Sequence, residues 1–186
     1  MDSQLSDQIE VAVSDHDALE AAADTLQRLL KGAEGILPSS VLDALHGEFL
    51  GHPLHPILVH LPLGGWMLAG LLDFMPGGDE RTAHAADVVL TLSTLGAVPT
   101  IATGWVDWSN TRGQARRTGL IHGAVNEVAF LLNVGSVAAR RRGNRRLGKA
   151  LSGGALGLAV AGGFLGGQLV YGHGLGVGQT LAKPQG

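Results

Sequence analysis

Apolar residues fill four long stretches of the chain, set apart by short clusters of charge. From Pro56 to Leu72 there is no Asp, Glu, Lys or Arg, and Asp73 alone interrupts the run before Met75. Val88 to Val106 is also uncharged and ends beside Trp105 and Trp108, the aromatic type that favours a lipid–water boundary. Gly119 to Ala139 is less uniform, because His122, Asn126 and Glu127 crowd its start. Ala150 to Ala182 has no charged residue apart from His173 when that is protonated. About 20 apolar residues in a helix cross a hydrocarbon core of ~30 Å. The pattern therefore predicts spans at about 56–75, 86–106, 119–139 and 150–172. Four such runs joined by short loops would leave a water-soluble protein little polar surface. In the fourth, Ala155, Ala159, Gly163 and Gly167 recur every fourth residue and predict a small-residue stripe for close helix packing.

The N-terminal part is patterned differently. Between Ser14 and Lys31, Leu19, Leu26, Leu29 and Leu30 with Ala21–Ala23 recur at helical spacing, and Ser14 or Asp15 stands where an N-cap belongs. Gly32 and Gly35 end that helix. Pro38-Ser39-Ser40 opens a second, with Leu42, Leu45 and Phe49 on one stripe, as suits an element lying on a membrane surface or on protein. The expected fold is thus all-α, an integral membrane bundle of four transmembrane helices behind a soluble or interfacial amphipathic helical segment. The division is residues 1–50, 51–179 and a tail of 180–186.

Charge sharpens the boundary. Residues 1–50 hold ten acids against Arg28 and Lys31, a net of −8, whereas the remainder holds six acids and eleven bases, a net of +5. The start lacks the basic and apolar signature of a secretory signal, so insertion is expected to depend on the first span. Without cysteine, thiolate ligands, disulfides and a cysteine nucleophile are excluded within this chain. Nothing points to nucleic acid; the expected surroundings are a cell membrane crossed several times. Near the spans, Arg112, Arg116, Arg117 and Lys183 lie on the side of the termini, and Arg81, Arg140, Arg141, Arg142, Arg145, Arg146 and Lys149 on the other. The positive-inside rule then puts both termini outside.

Four spans bring many polar residues to the terminal side. His52 and His55 precede the first span and His60 lies one turn inside it. His122 opens the third, His173 ends the fourth, and Asn126 follows His122 by one turn. Each histidine of His52-Pro53 and His55-Pro56 precedes a proline and is biased toward extended backbone. Pro62 removes the hydrogen bond to the Leu58 carbonyl and predicts a kink beside His60. Ionisable groups at membrane depth are costly and suggest function. Imidazoles from facing helices hold a b-type haem or another transition metal in a bundle, so His52, His55, His60, His122 and His173 are candidate ligands. Asn126 is a neighbour of that site, and Arg116 and Arg117 are candidates for haem propionates. The alternative reads the histidines as helix-end anchors and the arginines as a charged loop at headgroup level, with the acidic segment recruiting a basic partner. A proton path ranks below both, because three of the spans offer mainly glycine, threonine and aliphatic residues. His16, His46 and His84 read as solvated, and no hydrolytic elbow or triad is present, so no catalytic residue is assigned.

The motifs Gly51-His52-Pro53-Leu54-His55-Pro56 with Pro62-Leu63-Gly64, Thr103-Gly104-Trp105-Val106-Asp107-Trp108 and Gly166-Gly167-Gln168-Leu169-Val170-Tyr171 carry a resemblance. Together with Arg117, His122, Asn126 and His173-Gly174-Leu175-Gly176-Val177, they make the region from about Val41 to Gln179 resemble the bacterial membrane family DUF2231. That resemblance implies a four-helix membrane domain, fused in some members to a Rieske-type iron–sulfur domain, and hence a place in electron transfer. With no cysteine here, such a partner would be a separate protein. Gln168 stands where similar chains often carry histidine, and His60 where many carry an acid.

Overall fold

A computed structural model describes residue 11 and residues 16–176. The described residues are helical, without strands. The proposed caps Ser14 and Asp15 and the tail lie outside them.

Helix α1, Asp17–Glu34, carries Asp17 and Glu20 in its first turn and Lys31 in its last, each complementing the helix dipole. Helix α2, Ser39–His46, follows Pro38 and stops at Gly47. Gly47 has φ +76°, and a Cβ there would collide with the His52 carbonyl, so the left-handed turn requires glycine. A 3₁₀ turn at Glu48–Leu50 takes Phe49 off the predicted stripe and leaves it exposed.

The first span is broken. It comprises α3, His55–Leu58, and α4, His60–Phe74, with Val59 outside both. Pro62 has no N–H for the Leu58 carbonyl, and the Thr100 hydroxyl, whose proton also faces the Gly96 carbonyl at 3.0 Å, donates to Leu58 at 3.3 Å. The freed oxygen is thus used by the protein. Asp79 then accepts from the Thr82 amide at 2.9 Å and starts α5, Glu80–Trp108. That backbone hydrogen bond, seconded by the Thr82 hydroxyl, holds the Asp79 carboxyl below its ordinary range. Helix α6, Gly113–Arg141, ends at Gly143 with φ +80°, and Asn144 accepts from the Leu147 amide at 3.1 Å to open α7, Arg145–Gly167. A π-helical turn, Gln168–Gly172, continues it.

Four helices in this set are long and apolar enough to cross a membrane: His55–Phe74, Glu80–Trp108, Gly113–Arg141 and Arg145–Gly172. The protein is a membrane-spanning helical bundle. All four spans begin earlier than hydropathy alone indicated, and the second and third also end later, because helix continues into their charged flanks. In particular, the expected loop from Asp107 to Thr118 shrinks to residues 109–112, so Arg116 and Arg117 are helical.

The chain divides into two compact units, and α5, α6 and α7 each contribute to both. The first contains residues 1–55, 102–123 and 163–186. The second contains 56–101 and 124–162, a four-helix bundle whose centre is Trp66, Ala69, Leu90, Ala97, Ala129, Ala155 and Ala159. The Trp66 indole donates to Thr94 at 3.2 Å, satisfying the one polar atom of the largest side chain in that centre. Leu68, Leu71, Leu92, Leu95, Leu131 and Val160 are exposed on the outside, as expected for surface that faces lipid.

The small-residue stripe of α7 is displaced from its expected course. Ala155 and Ala159 are buried, but a Cβ on Gly163 or Gly167 would meet nothing within 4 Å. The close approaches are made at Gly162, against Asn126, and at Gly166, against His122. Steps of four residues drift about 40° per turn around a helix of ~100° per residue, and a step of three brings the stripe back to one face.

Candidate functional site

In the first unit, α3 supplies His55 and α6 supplies His122. Their ring centroids are 6.5 Å apart with planes at 85°. Each ring is seated on a glycine of a third or fourth segment. A Cβ on Gly104 would lie 2.9 Å from Cε1 and Nδ1 of His55, and one on Gly166 would lie 3.2 Å from Cε1 of His122. These glycines admit the imidazoles against α5 and α7. Trp105 and Trp108 pack edge to face at 5.3 Å, on Gly123 and Gly119 respectively. The Trp108 indole donates to the Arg116 carbonyl at 2.8 Å, fixing the turn between α5 and α6.

The other predicted ligands are placed differently. His52 is exposed, with Nδ1 3.2 Å from the Pro53 carbonyl. His173 is half-buried, and its Nε2 is buried with no hydrogen-bond partner among the described residues. His60 and Asn126 belong to the second unit. His60 is exposed with Nδ1 3.2 Å from the Ile57 carbonyl, and Asn126 packs on Gly162, where a Cβ would come within 2.6 Å. Among the described residues, no group of three or more His, Asp or Glu side chains is arranged to hold a metal ion.

Arg116 and Arg117 have partners in α1. Glu20 is shared between the two guanidiniums, and Arg116 also meets Asp24 at 2.6 Å and Gln27 at 3.1 Å. Gln27 donates to the Thr111 carbonyl at 3.0 Å, so it serves orphan carbonyls beyond the end of α5. Ser109 donates to Glu34 at 2.6 Å, and Lys31 reaches Glu34 at 2.7 Å and Asn110 at 2.8 Å. Burial pushes the Glu34 carboxyl up, but hydrogen bonds from Lys31 and Ser109 with the Lys31 charge outweigh it and hold the group below its ordinary range. The acidic segment therefore docks on this chain's own bases. His46, read as solvated, lies 3.7 Å from Asp107 instead.

A second constellation was missed from sequence. In the second unit Arg140, with 3% of its side chain exposed, meets Asp73, whose side chain is fully buried. All five guanidinium donors are used. Nε donates to Ser136 at 3.1 Å, one terminal nitrogen to Asp73 at 3.1 Å and Asp87 at 2.7 Å, and the other to Asp73 and to Ser152 at 3.0 Å. Arg145 binds the same carboxylates at 2.7 Å each, and Lys149 donates to the Asp73 backbone carbonyl. The available signal was Asp73 itself, a lone acid in an apolar span, which demands a basic partner. By contrast, Asn133 is 1% exposed and neither end of its amide has a hydrogen-bond partner among the described residues.

Comparison with known proteins gives one family. The family model of DUF2231, described as a predicted membrane protein, matches residues 51–179. No curated protein and no solved structure matches.

Proposed function

Because the chain belongs to the DUF2231 family of predicted membrane proteins, we propose that it is a non-enzymatic accessory redox module of the cell membrane, in which His55 and His122 would hold a b-type haem. The separation of the two imidazoles carries the reading. The rings stand 6.5 Å apart on facing helices, close enough that one metal centre could be held by both. Two facing histidines suffice for haem, whose macrocycle provides the equatorial nitrogens and the one-electron chemistry. Gly104 and Gly166 hold the rings in place. Arg116 or Arg117 would take a propionate only by exchanging Glu20 or Asp24 for it. His173, with its buried and unpartnered Nε2, is the alternate ligand. A transition metal other than haem iron would need further donors from outside the described cluster. The electron partner is then a separate protein, of which a Rieske-type protein is one candidate, and the distribution of bases argues for both termini outside.

The test is an oxidised and dithionite-reduced visible spectrum of the full chain, purified in mild detergent from cells supplied with haem precursor, with metal analysis. Reduced b-type bands lost in His55→Ala and His122→Ala but kept in His60→Ala are expected. A colourless, folded protein would sink the proposal. The second reading, a structural or partner-binding module, is favoured by the closure of Arg116 and Arg117 under α1. In that case the histidines serve packing against Gly104 and Gly166, and exposed acids such as Asp43 and Glu48 are left to meet a partner.

A further inference from the structure

We infer that the outer surface of α5 and α6 in the second unit carries a binding site for the phosphate group and one acyl chain of an anionic phospholipid, with Arg141 and Arg142 as its anion-binding residues. Two clefts flank Arg141. One, of about 300 Å³, is walled by Val88, Leu92 and Val137 and has Asp87, Arg140 and Arg141 at its polar side. The other, of about 330 Å³, is lined by Val134, Val137, Ala138, Arg141 and Arg142. Both volumes stand at the lower limit of small-molecule sites, ~300–1,000 Å³, so each has room for part of a ligand such as a headgroup or a stretch of acyl chain.

Their charges divide into used and unused. Arg140 spends its donors on Asp73, Asp87, Ser136 and Ser152. Asp87 is neutralised by Arg140 and Arg145 together. Arg141 and Arg142 are exposed and form no ion pair among the described residues. What remains at the mouth is an unspent double positive charge.

The apolar walls run in the right direction. Val134 and Val137 precede Arg141 by seven and four residues on α6, so they extend about 10 Å along the helix from the arginine, at ~1.5 Å per residue. Since Arg141 ends the span, that direction leads into the bilayer, where the chain of a lipid runs from its phosphate. Val88 and Leu92 on α5 are exposed alongside. A free phosphate would leave these walls uncovered, and a zwitterionic lipid would bring its own cation toward the arginines. An anionic phospholipid matches both parts, and basic sites at helix ends commonly select such headgroups.

The site is independent of the haem proposal, because it lies in the second unit and needs no histidine. It is tested by native mass spectrometry of the full chain in mild detergent, titrated with phosphatidylglycerol or with phosphatidylcholine of the same acyl chains. Phosphatidylglycerol is expected to bind in preference. Affinity should fall about fivefold for Arg142→Gln and about thirtyfold for Arg141→Gln with Arg142→Gln, taking ~1 kcal/mol per basic residue. Val137→Phe, which fills both clefts and keeps the charges, should also lose the lipid, and Arg112→Gln, in the opposite loop, should not. Circular dichroism checks that each variant is folded. Equal binding of the two lipids, an equal loss in Arg112→Gln, or displacement by inorganic phosphate at the same concentration would each overturn the site.

Discussion

Removing Arg140 should be the most damaging single substitution in the second unit. Arg140→Met keeps the length and apolar stem of the side chain but withdraws five donors from Asp73, Asp87, Ser136 and Ser152. The two hydroxyls retain other partners, Ser136 through the Gly148 carbonyl at 2.7 Å and Ser152 through the same carbonyl at 3.1 Å. Asp73 suffers most, since its side chain is fully buried and only Arg145, 34% exposed, still faces it. Breaking a buried pair by removing one partner costs ~3–5 kcal/mol, and the remaining arginine argues for the lower end, about 3 kcal/mol. Arg140→Lys should cost about 2 kcal/mol, because one ammonium with three donors cannot reproduce the fork. Removing both charges, as in Asp73→Leu with Arg140→Met, should return stability to within about 1 kcal/mol of the parent, because no buried charge is left unpaired. Reversible unfolding of the detergent-solubilised protein in sodium dodecyl sulfate, followed by circular dichroism, measures these differences. An Arg140→Met cost below about 0.5 kcal/mol, or a double variant as unstable as the two single costs added together, would refute the reasoning.

Gly104→Ala should displace the His55 ring and destabilise by about 1–3 kcal/mol, visible as shifted imidazole resonances of His55 and His122, whereas Gly163→Ala meets open space and should be neutral or slightly stabilising. Asn133→Leu should stabilise the detergent-solubilised protein by about 1–2 kcal/mol in the same unfolding assay, since it removes a buried amide with no partner among the described residues; a loss of that size would show that the amide has one. The depressed Glu34 carboxyl contributes docking energy that is complete above its ordinary value of 4.5 and is lost as pH falls through the lower folded value. Hydrogen exchange across residues 17–34 should therefore quicken below that value, and Glu34→Gln should show the faster exchange already at neutral pH.

Much of the architecture was legible because the bilayer imposes it. A segment that must satisfy every backbone group within itself and match ~30 Å of hydrocarbon announces its span in composition alone, as residues 56–72 and 88–106 do. The break before α4 was legible too, since Pro62 lacks a donor whatever surrounds it. That Thr100 would serve the abandoned carbonyl was not, because the two residues are 42 positions apart. Local chemistry likewise placed helix ends imperfectly, since basic flanks that look like loops remain good helix formers.

Partners across helices were decided only in three dimensions. Each residue turns the helix by ~100°, so a small rotation or tilt of α6 or α7 changes which neighbour a side chain meets. Hence five histidines near one level reduced to one close pair, and the packing stripe of α7 moved from Gly163 and Gly167 to Gly162 and Gly166. Arg116 and Arg117 came under Glu20, and Arg140 found Asp73 across 67 positions. The sequence by itself determined that there are four apolar spans and that Asp73 alone interrupts the first of them before Met75. Tertiary structure alone chose the neutralising arginine and the meeting histidines, because side-chain pairing depends on helix rotation and register, which local periodicity leaves free.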